Sequence, residues 1–232
     1  MQMKDLVPAS QCALNLGVKA VIYGGPGTGK TPLINTAPRP VLLAIEPGLL
    51  SMRKSNVPTW KAYENKNGVA AGVTEFFEWF LKSNEAKNFD TLGVDSASEM
   101  AEAILREELG RNSNKMRAYG EMSFRVMDYL TKLYYLQYKH VVLIAKQFED
   151  TETKRKRPSF PGQDLNVKVP HFFDEILHYS KLPAGTIPGV MEEVKAIRTL
   201  ESFDIMARDR SGMLNQFEQP DLGAIFNKIM AA

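Results

Sequence analysis

Apolar and polar positions fall into two alternating patterns along the chain. Short, nearly unbroken apolar runs stand at Val18 and Ala20 to Tyr23, at Val41-Leu42-Leu43-Ala44-Ile45, at Phe89 to Val94 and at Val141 to Ala145. Runs of that length predict strands buried on both faces, as in parallel sheets. Between them, apolar residues recur at helical spacing: Val69, Val73, Phe76, Phe77, Phe80 and Leu81, then Met100, Ile104 and Leu105, then Met122, Val126, Tyr129, Leu130 and Leu133. The second of these predicts a helix from Ala97 to Leu109, stopped by Gly110. The segment from Lys54 to Gly68 reads as loop with a short strand near Thr59 to Tyr63. Phe172 to His178 reads as a fifth core strand, and Val194 to Leu200 and Ser202 to Ala207 as two antiparallel strands. Pro220 and Asp221 open a last short helix through Leu222, Ile225, Phe226 and Ile229. Strands alternating with helices predict an α/β fold: a single doubly wound, mainly parallel sheet with a C-terminal antiparallel extension, one domain over 1–232.

The first run leads directly into Gly24-Gly25-Pro26-Gly27-Thr28-Gly29-Lys30-Thr31, which fits the phosphate-binding pattern G-x-x-x-x-G-K-[ST] at every fixed position. The preceding strand and the helical turn predicted at Pro32-Leu33-Ile34 supply the setting that a Gly-rich turn with a chance lysine lacks. The glycines let successive N–H groups point inward at one anion. The helix N-terminus adds unpaired N–H groups and the positive end of its dipole. Lys30 then reaches the β- and γ-phosphates, and the Thr31 hydroxyl takes a place on Mg²⁺. Pro32 is tolerated because the first helical positions need no intrahelical N–H bond. Two strand ends add carboxylates, and open α/β sheets keep their ligands at such ends. Asp95 has the form of the aspartate in the Mg²⁺ shell. Glu46 reads either as a ligand-facing carboxylate or as a turn residue.

Composition narrows the picture little. With 232 residues, 44% hydrophobic and 24% charged, the chain has the make-up of an ordinary soluble globule. A net charge of +2 leaves any nucleic-acid contact to local basic patches. The one cysteine, Cys12, excludes an intrachain disulfide framework and fits a reducing compartment. No apolar run approaches the roughly 20 residues of a membrane span, and the start lacks the pattern of a signal peptide. A cytosolic location without membrane contact is expected. Two stretches are locally basic. Arg111, Lys115 and Arg117 fall in a polar segment that reads as an exposed loop. Lys154, Arg155, Lys156 and Arg157 are consecutive, and read either as solvated surface or as a contact for a polyanion. His171 and His178 read as structural.

Ser96 rather than Glu follows Asp95, so the Asp-Glu pair of many ring ATPases is absent. Glu46 is then the best-placed carboxylate to polarise an attacking water. No Asn-Lys-x-Asp element is present, which argues against a GTPase; Asn65-Lys66-Asn67-Gly68 is the nearest match. Taken with Ile45-Glu46-Pro47-Gly48-Leu49, Leu92-Gly93-Val94-Asp95-Ser96, Pro170-His171-Phe172-Phe173-Asp174-Glu175 and Ala207-Arg208-Asp209-Arg210-Ser211-Gly212, the phosphate loop resembles that of phage-encoded nucleotide-binding proteins of the RecA-like class. These are core-only relatives of the recombinases that assist single-strand annealing. The resemblance implies a RecA-like P-loop core with Glu46 as catalytic carboxylate, Asp95 as magnesium ligand and Gln147 as γ-phosphate sensor, Lys146 beside it. It also implies DNA-facing loops after the third and fourth core strands, where the two basic stretches stand. Arg208 and Arg210 resemble residues that such subunits extend to a neighbour's γ-phosphate. Only Phe160 in either loop suits base stacking, so affinity would lean on phosphates.

The function expected from these residues is a Mg²⁺-dependent ATPase that binds single-stranded DNA in phage recombination, by annealing or strand exchange, in the cytoplasm of the bacterial host. A homo-oligomer and a single-strand-binding or annealing protein are the protein partners that reading expects. Two other readings stay open: a nucleotide-gated loader or adaptor, and a small-molecule kinase with Arg155 and Arg157 in its lid.

Overall fold

Strand β1 (Lys19–Gly24) is buried along its whole length and the rest of the sheet is built outward from it. The computed structural model describes residues 6–8, 11 and 16–231; Cys12 and most of the lead-in lie outside them. Six parallel strands run in the order β7 (Glu175–Leu182), β1, β5 (His140–Glu149), β4 (Thr91–Asp95), β2 (Pro40–Ala44) and β3 (Thr59–Lys61). Beyond β7 the sheet turns antiparallel through β8 (Val194–Arg198) and β10 (Phe217–Glu218), while the short β9 (Arg208–Asp209) also pairs with β7. Strand β6 (Lys156–Ser159) folds back on the end of β5. The fold is the expected α/β architecture: a mostly parallel central sheet with an antiparallel C-terminal extension.

Successive residues of β1 enter two different cores, which explains why its sequence is apolar throughout. Val21 and Tyr23 join the larger one, with α2 (Val69–Lys82), α3 (Ala97–Arg111), α4 (Lys115–Tyr134) and α5 (Gln163–Phe172). Ala20 and Ile22 join the smaller one, with α1 (Lys30–Leu33) and α6 (Leu222–Met230). At the entry to β1, Gly17 lies against β5: a Cβ there would stand 2.2 Å from the Lys139 carbonyl oxygen. Among the described residues no helix is long and apolar enough to cross a membrane.

Several boundaries differ from the sequence expectation. Gly110 does not stop α3, which runs on to Arg111. Only residues 112–114 of the basic segment 111–117 form a loop; its cations lie in the helices on either side. Asn114 caps α4 by accepting from the Arg117 N–H at 3.2 Å, so Lys115 and Arg117 lie in its first turn. Arg111 pairs with Glu107 at 3.0 Å and Glu108 at 3.3 Å, and Arg117 with Glu121 at 3.7 Å. Strand β5 continues past Ala145 to Glu149, because β6 offers it an antiparallel partner. The fifth core strand starts at Glu175, not Phe172. Residues up to Phe172 belong to α5, whose first turns are fixed by Asn166, bonded to Phe160 and Gly162. Ser202 to Ala207 forms a bend rather than a strand, with Ile205 making one isolated bridge to Lys156.

Candidate nucleotide site

Strand β1 ends at Gly24, where a Cβ would stand 2.0 Å from the Tyr179 carbonyl oxygen of β7. The chain then turns through Gly27 (φ 72°) and Gly29 (φ 103°), a region costly for L side chains. Gly29 is the N-cap of α1 and offers no side-chain cap, leaving the first N–H groups facing the loop. Lys30 is folded over that loop: its Nζ donates to the carbonyl oxygens of Gly24 and Gly25, both at 2.8 Å. Burial pulls the Lys30 pKa down, and the negative charge of Asp95 opposes the shift. The Thr28 hydroxyl donates to the Gly25 carbonyl at 3.1 Å and holds the curl of the loop.

The Thr31 hydroxyl donates to Asp95 Oδ2 at 2.5 Å, which joins the helix after the loop to the end of β4. Burial pushes the Asp95 carboxyl up, against the hydrogen bond from Thr31 and the charge of Lys30. Two hard oxygen donors thus sit side by side at the loop, the ligand type that Mg²⁺ takes. After the cis Asp95–Ser96 peptide, Ser96 caps α3 by accepting from the Glu99 N–H at 3.2 Å.

Glu46 is exposed just past β2 and makes no hydrogen bond or ion pair among the described residues. Partial burial raises its pKa, and the like charges of Glu99 and Asp95 add to the effect against Lys146. Glu99, in the first turn of α3, is the carboxylate that sequence reasoning missed. Its signal was its place four residues after Asp95 on a predicted helix. It pairs with Lys146 and, at 3.6 Å, with Arg106; the bond from Lys146 above all holds its carboxyl below the usual range. In the β1–β5 register Lys146 lies opposite Gly24. Gln147 follows it, its Oε1 3.0 Å from Nε2 of the buried His178. Burial pushes His178 down to about 4, so the ring is neutral at physiological pH.

The structure therefore gathers Gly24 to Thr31, Glu46, Asp95, Glu99, Lys146 and Gln147 at the carboxyl edge of the parallel sheet. It does not bring Arg208 and Arg210 there. Both stand at the foot of β7: Arg208 donates to the carbonyls of Pro170 (2.6 Å) and Phe173, and Arg210 to Asp174 (2.6 Å). The second basic stretch spans the β5–β6 hairpin. Arg155 pairs with Glu201. Arg157 donates to Asn166 Oδ1 at 2.6 Å and lies over the Phe148 ring at 4.5 Å. Lys154 (φ 57°) sits in the hairpin turn and Lys156 in β6. Phe160 is 5% exposed and packs in the larger core, so it is not available for stacking; Phe203, in the loop that holds Glu201, is 89% exposed.

A family model described as an AAA domain (AAA_24) matches residues 16–211. No curated protein matches the chain. Among solved structures, a KaiC-like protein of the hyperthermophilic archaeon Pyrococcus horikoshii OT3 is similar at 12% identity, with a TM-score of 0.42 over 79% of this chain and 78% of that one. An ATPase of the type III secretion system of pathogenic bacteria is similar at 17% identity, with a TM-score of 0.47 over 71% of this chain and 52% of that one.

Proposed function

This chain belongs to the AAA-domain family, and from that premise we propose that it hydrolyses ATP with Mg²⁺ and does so in response to single-stranded DNA. It is a P-loop ATPase-type domain. The observation that carries the hydrolytic reading is the meeting of Thr31 and Asp95 at 2.5 Å beside the Lys30 ammonium. Thr31 and Asp95 would hold Mg²⁺, which supplies charge neutralisation on the phosphate oxygens when bound. Lys30 exchanges two loop carbonyls for phosphate oxygens, a stronger charge-assisted contact. Glu46 is the better base of the two edge glutamates: it is unpaired and its pKa is raised, whereas Glu99 is held ionised by Lys146. Its role is to orient and deprotonate the attacking water. The Gln147 amide can present its N–H₂ group to the γ-phosphate, since its carbonyl faces His178.

The DNA reading rests on the β5–β6 hairpin, which extends past the same sheet edge and carries Lys154 and Lys156, with the exposed Phe203 close by through the Arg155–Glu201 pair. Phosphate contacts by the lysines and stacking on Phe203 are the two contributions that single strands use. Annealing or strand exchange in phage recombination is the setting we propose for it, with the Arg208 and Arg210 foot as the surface turned to a neighbouring copy. The internal pairing of Arg155 and Arg157 favours one second reading, a nucleotide-gated adaptor whose hairpin meets a protein. ATP turnover measured alone, with single-stranded DNA and with nucleosides tests the choice. Stimulation by DNA, abolished in Lys30→Ala, is expected. Turnover that DNA leaves unchanged removes the DNA half of the proposal.

A further inference from the structure

Asp95 and Gln147 lie on the β5 and β4 flank of β1. A triphosphate seated on the loop with its γ-end toward them directs its nucleoside end to the opposite flank, which β7 and β8 occupy. Two polar groups stand there over the loop. Measured from where a Cβ on Gly29 would lie, Lys195 Nζ is 3.3 Å away and the Tyr179 hydroxyl 3.6 Å. Neither has a hydrogen-bond or ion-pair partner among the described residues. The Tyr179 ring is 4% exposed and fixed in the smaller core, so its hydroxyl is held in place. Lys195 lies opposite Lys181 in the β7–β8 register, an unfavourable like-charge pairing. Lys181 is offset by Glu193 at 3.1 Å; Lys195 has no counter-ion among the described residues.

Lys195 also lines a cleft of about 500 Å³ at the end of β8, walled by Ile187, Val190, Val194, Ala196, Phe217 and Pro220. Glu218 and Gln219 supply polar groups at its lining. Apolar walls with a few polar groups, at this size, suit a flat ring with a polar edge. We propose that this cleft takes the base of the bound nucleotide, and that Lys195 and Tyr179 meet its α-phosphate and ribose. The inference rests on the nucleotide-binding reading above and adds the determinants of base recognition, which lie in the antiparallel extension rather than in the parallel core.

The test compares ATP with inorganic tripolyphosphate, both with Mg²⁺, by calorimetric titration of the full chain. Val190→Trp, on a surface loop, fills the cleft without touching the phosphate loop. ATP affinity should fall at least tenfold, while tripolyphosphate binds as in the parent. Lys195→Met should weaken both ligands, because its phosphate contact is common to them. Phe217→Ala, checked for an unchanged melting transition, repeats the base-selective loss by removing a wall instead of blocking it. Unchanged ATP affinity in Val190→Trp and Phe217→Ala, or equal losses for both ligands, overturns the base assignment. A parent chain that binds neither ligand removes the nucleotide reading, and this inference with it.

Discussion

Replacing Asp95 by Asn should make the nucleotide-free protein more stable and the Mg²⁺-ATP complex less so. Burial is the largest influence on this carboxyl, and it outweighs the hydrogen bond from Thr31 and the charge of Lys30. Its folded-state pKa therefore lies above the unfolded one. The ionised form is a net cost to the fold that appears as pH rises through that interval and is absent at acid pH, where Asp95 is protonated. Asn keeps an oxygen to accept from the Thr31 hydroxyl and removes the charge. Relief of such a functional-site penalty gives about 1 kcal/mol, or about 2–4 °C in a chain of this size. With Mg²⁺-ATP at 100 times its Kd the parent gains about 2.7 kcal/mol by mass action, and a tenfold weaker variant about 1.4 kcal/mol. The two melting curves should thus converge or cross when Mg²⁺-ATP is added, and the apo difference should vanish at acid pH. Differential scanning calorimetry at pH 7 and in acid, with and without Mg²⁺-ATP, reads all of this. A variant that is less stable when apo, yet gains as much from Mg²⁺-ATP as the parent, refutes the reasoning.

Glu46→Gln should bind ATP as the parent does and lose roughly 10²-fold in turnover; because the Glu46 pKa is raised, the parent's own turnover should fall on the acid side above the ordinary carboxylate range. Steady-state kinetics across pH check both, and undiminished hydrolysis returns Glu46 to a turn residue. Lys154→Ser with Lys156→Ser should lower the log–log salt slope of single-strand binding by up to about 1.4, at roughly 0.7 per phosphate contact. The four cations of the run would have given about 2.8 at the same roughly 0.7 each, but Arg155 and Arg157 are engaged within the chain. Fluorescence anisotropy at a series of salt concentrations measures the slope, and an unchanged slope takes the hairpin out of DNA binding.

The parallel core was legible because its signals are local and redundant. Strands buried on both faces read as unbroken apolar runs, and the phosphate loop fixes residue type at four of its eight positions. Asp95 and Glu46 were legible as strand ends for the same reason. Legibility failed where the deciding partner is distant in sequence. The extra length of β5 depends on β6 folding back. The run 111–117 misled for a local reason: only 112–114 are loop, and the arginines on either side lie in helices and pair with Glu107, Glu108 and Glu121. Charge along a sequence does not say whether a cation faces solvent or a carboxylate one helical turn away. Glu99 was missed because its partner Lys146 comes from β5, 47 residues on. Lys195 and Phe217 were missed because an edge cleft has no periodicity of its own.

Strand β1 is stopped at both ends by backbone. Gly17 abuts the Lys139 carbonyl and Gly24 the Tyr179 carbonyl, so neither site has room for even a methyl group. Any side chain beyond hydrogen at either position would meet a backbone carbonyl. Gln147 and the hairpin beyond it extend past the sheet edge on β5 and are held there at several points, Gln147 at His178, Arg155 at Glu201 and Arg157 at Asn166. Tyr23 ties that hairpin to β1, because its hydroxyl donates to the carbonyls of Lys156 at 3.0 Å and Met206 at 2.6 Å. The residue before the phosphate loop is thus also an anchor of the hairpin, so a substitution of Tyr23 loosens the hold on both at once.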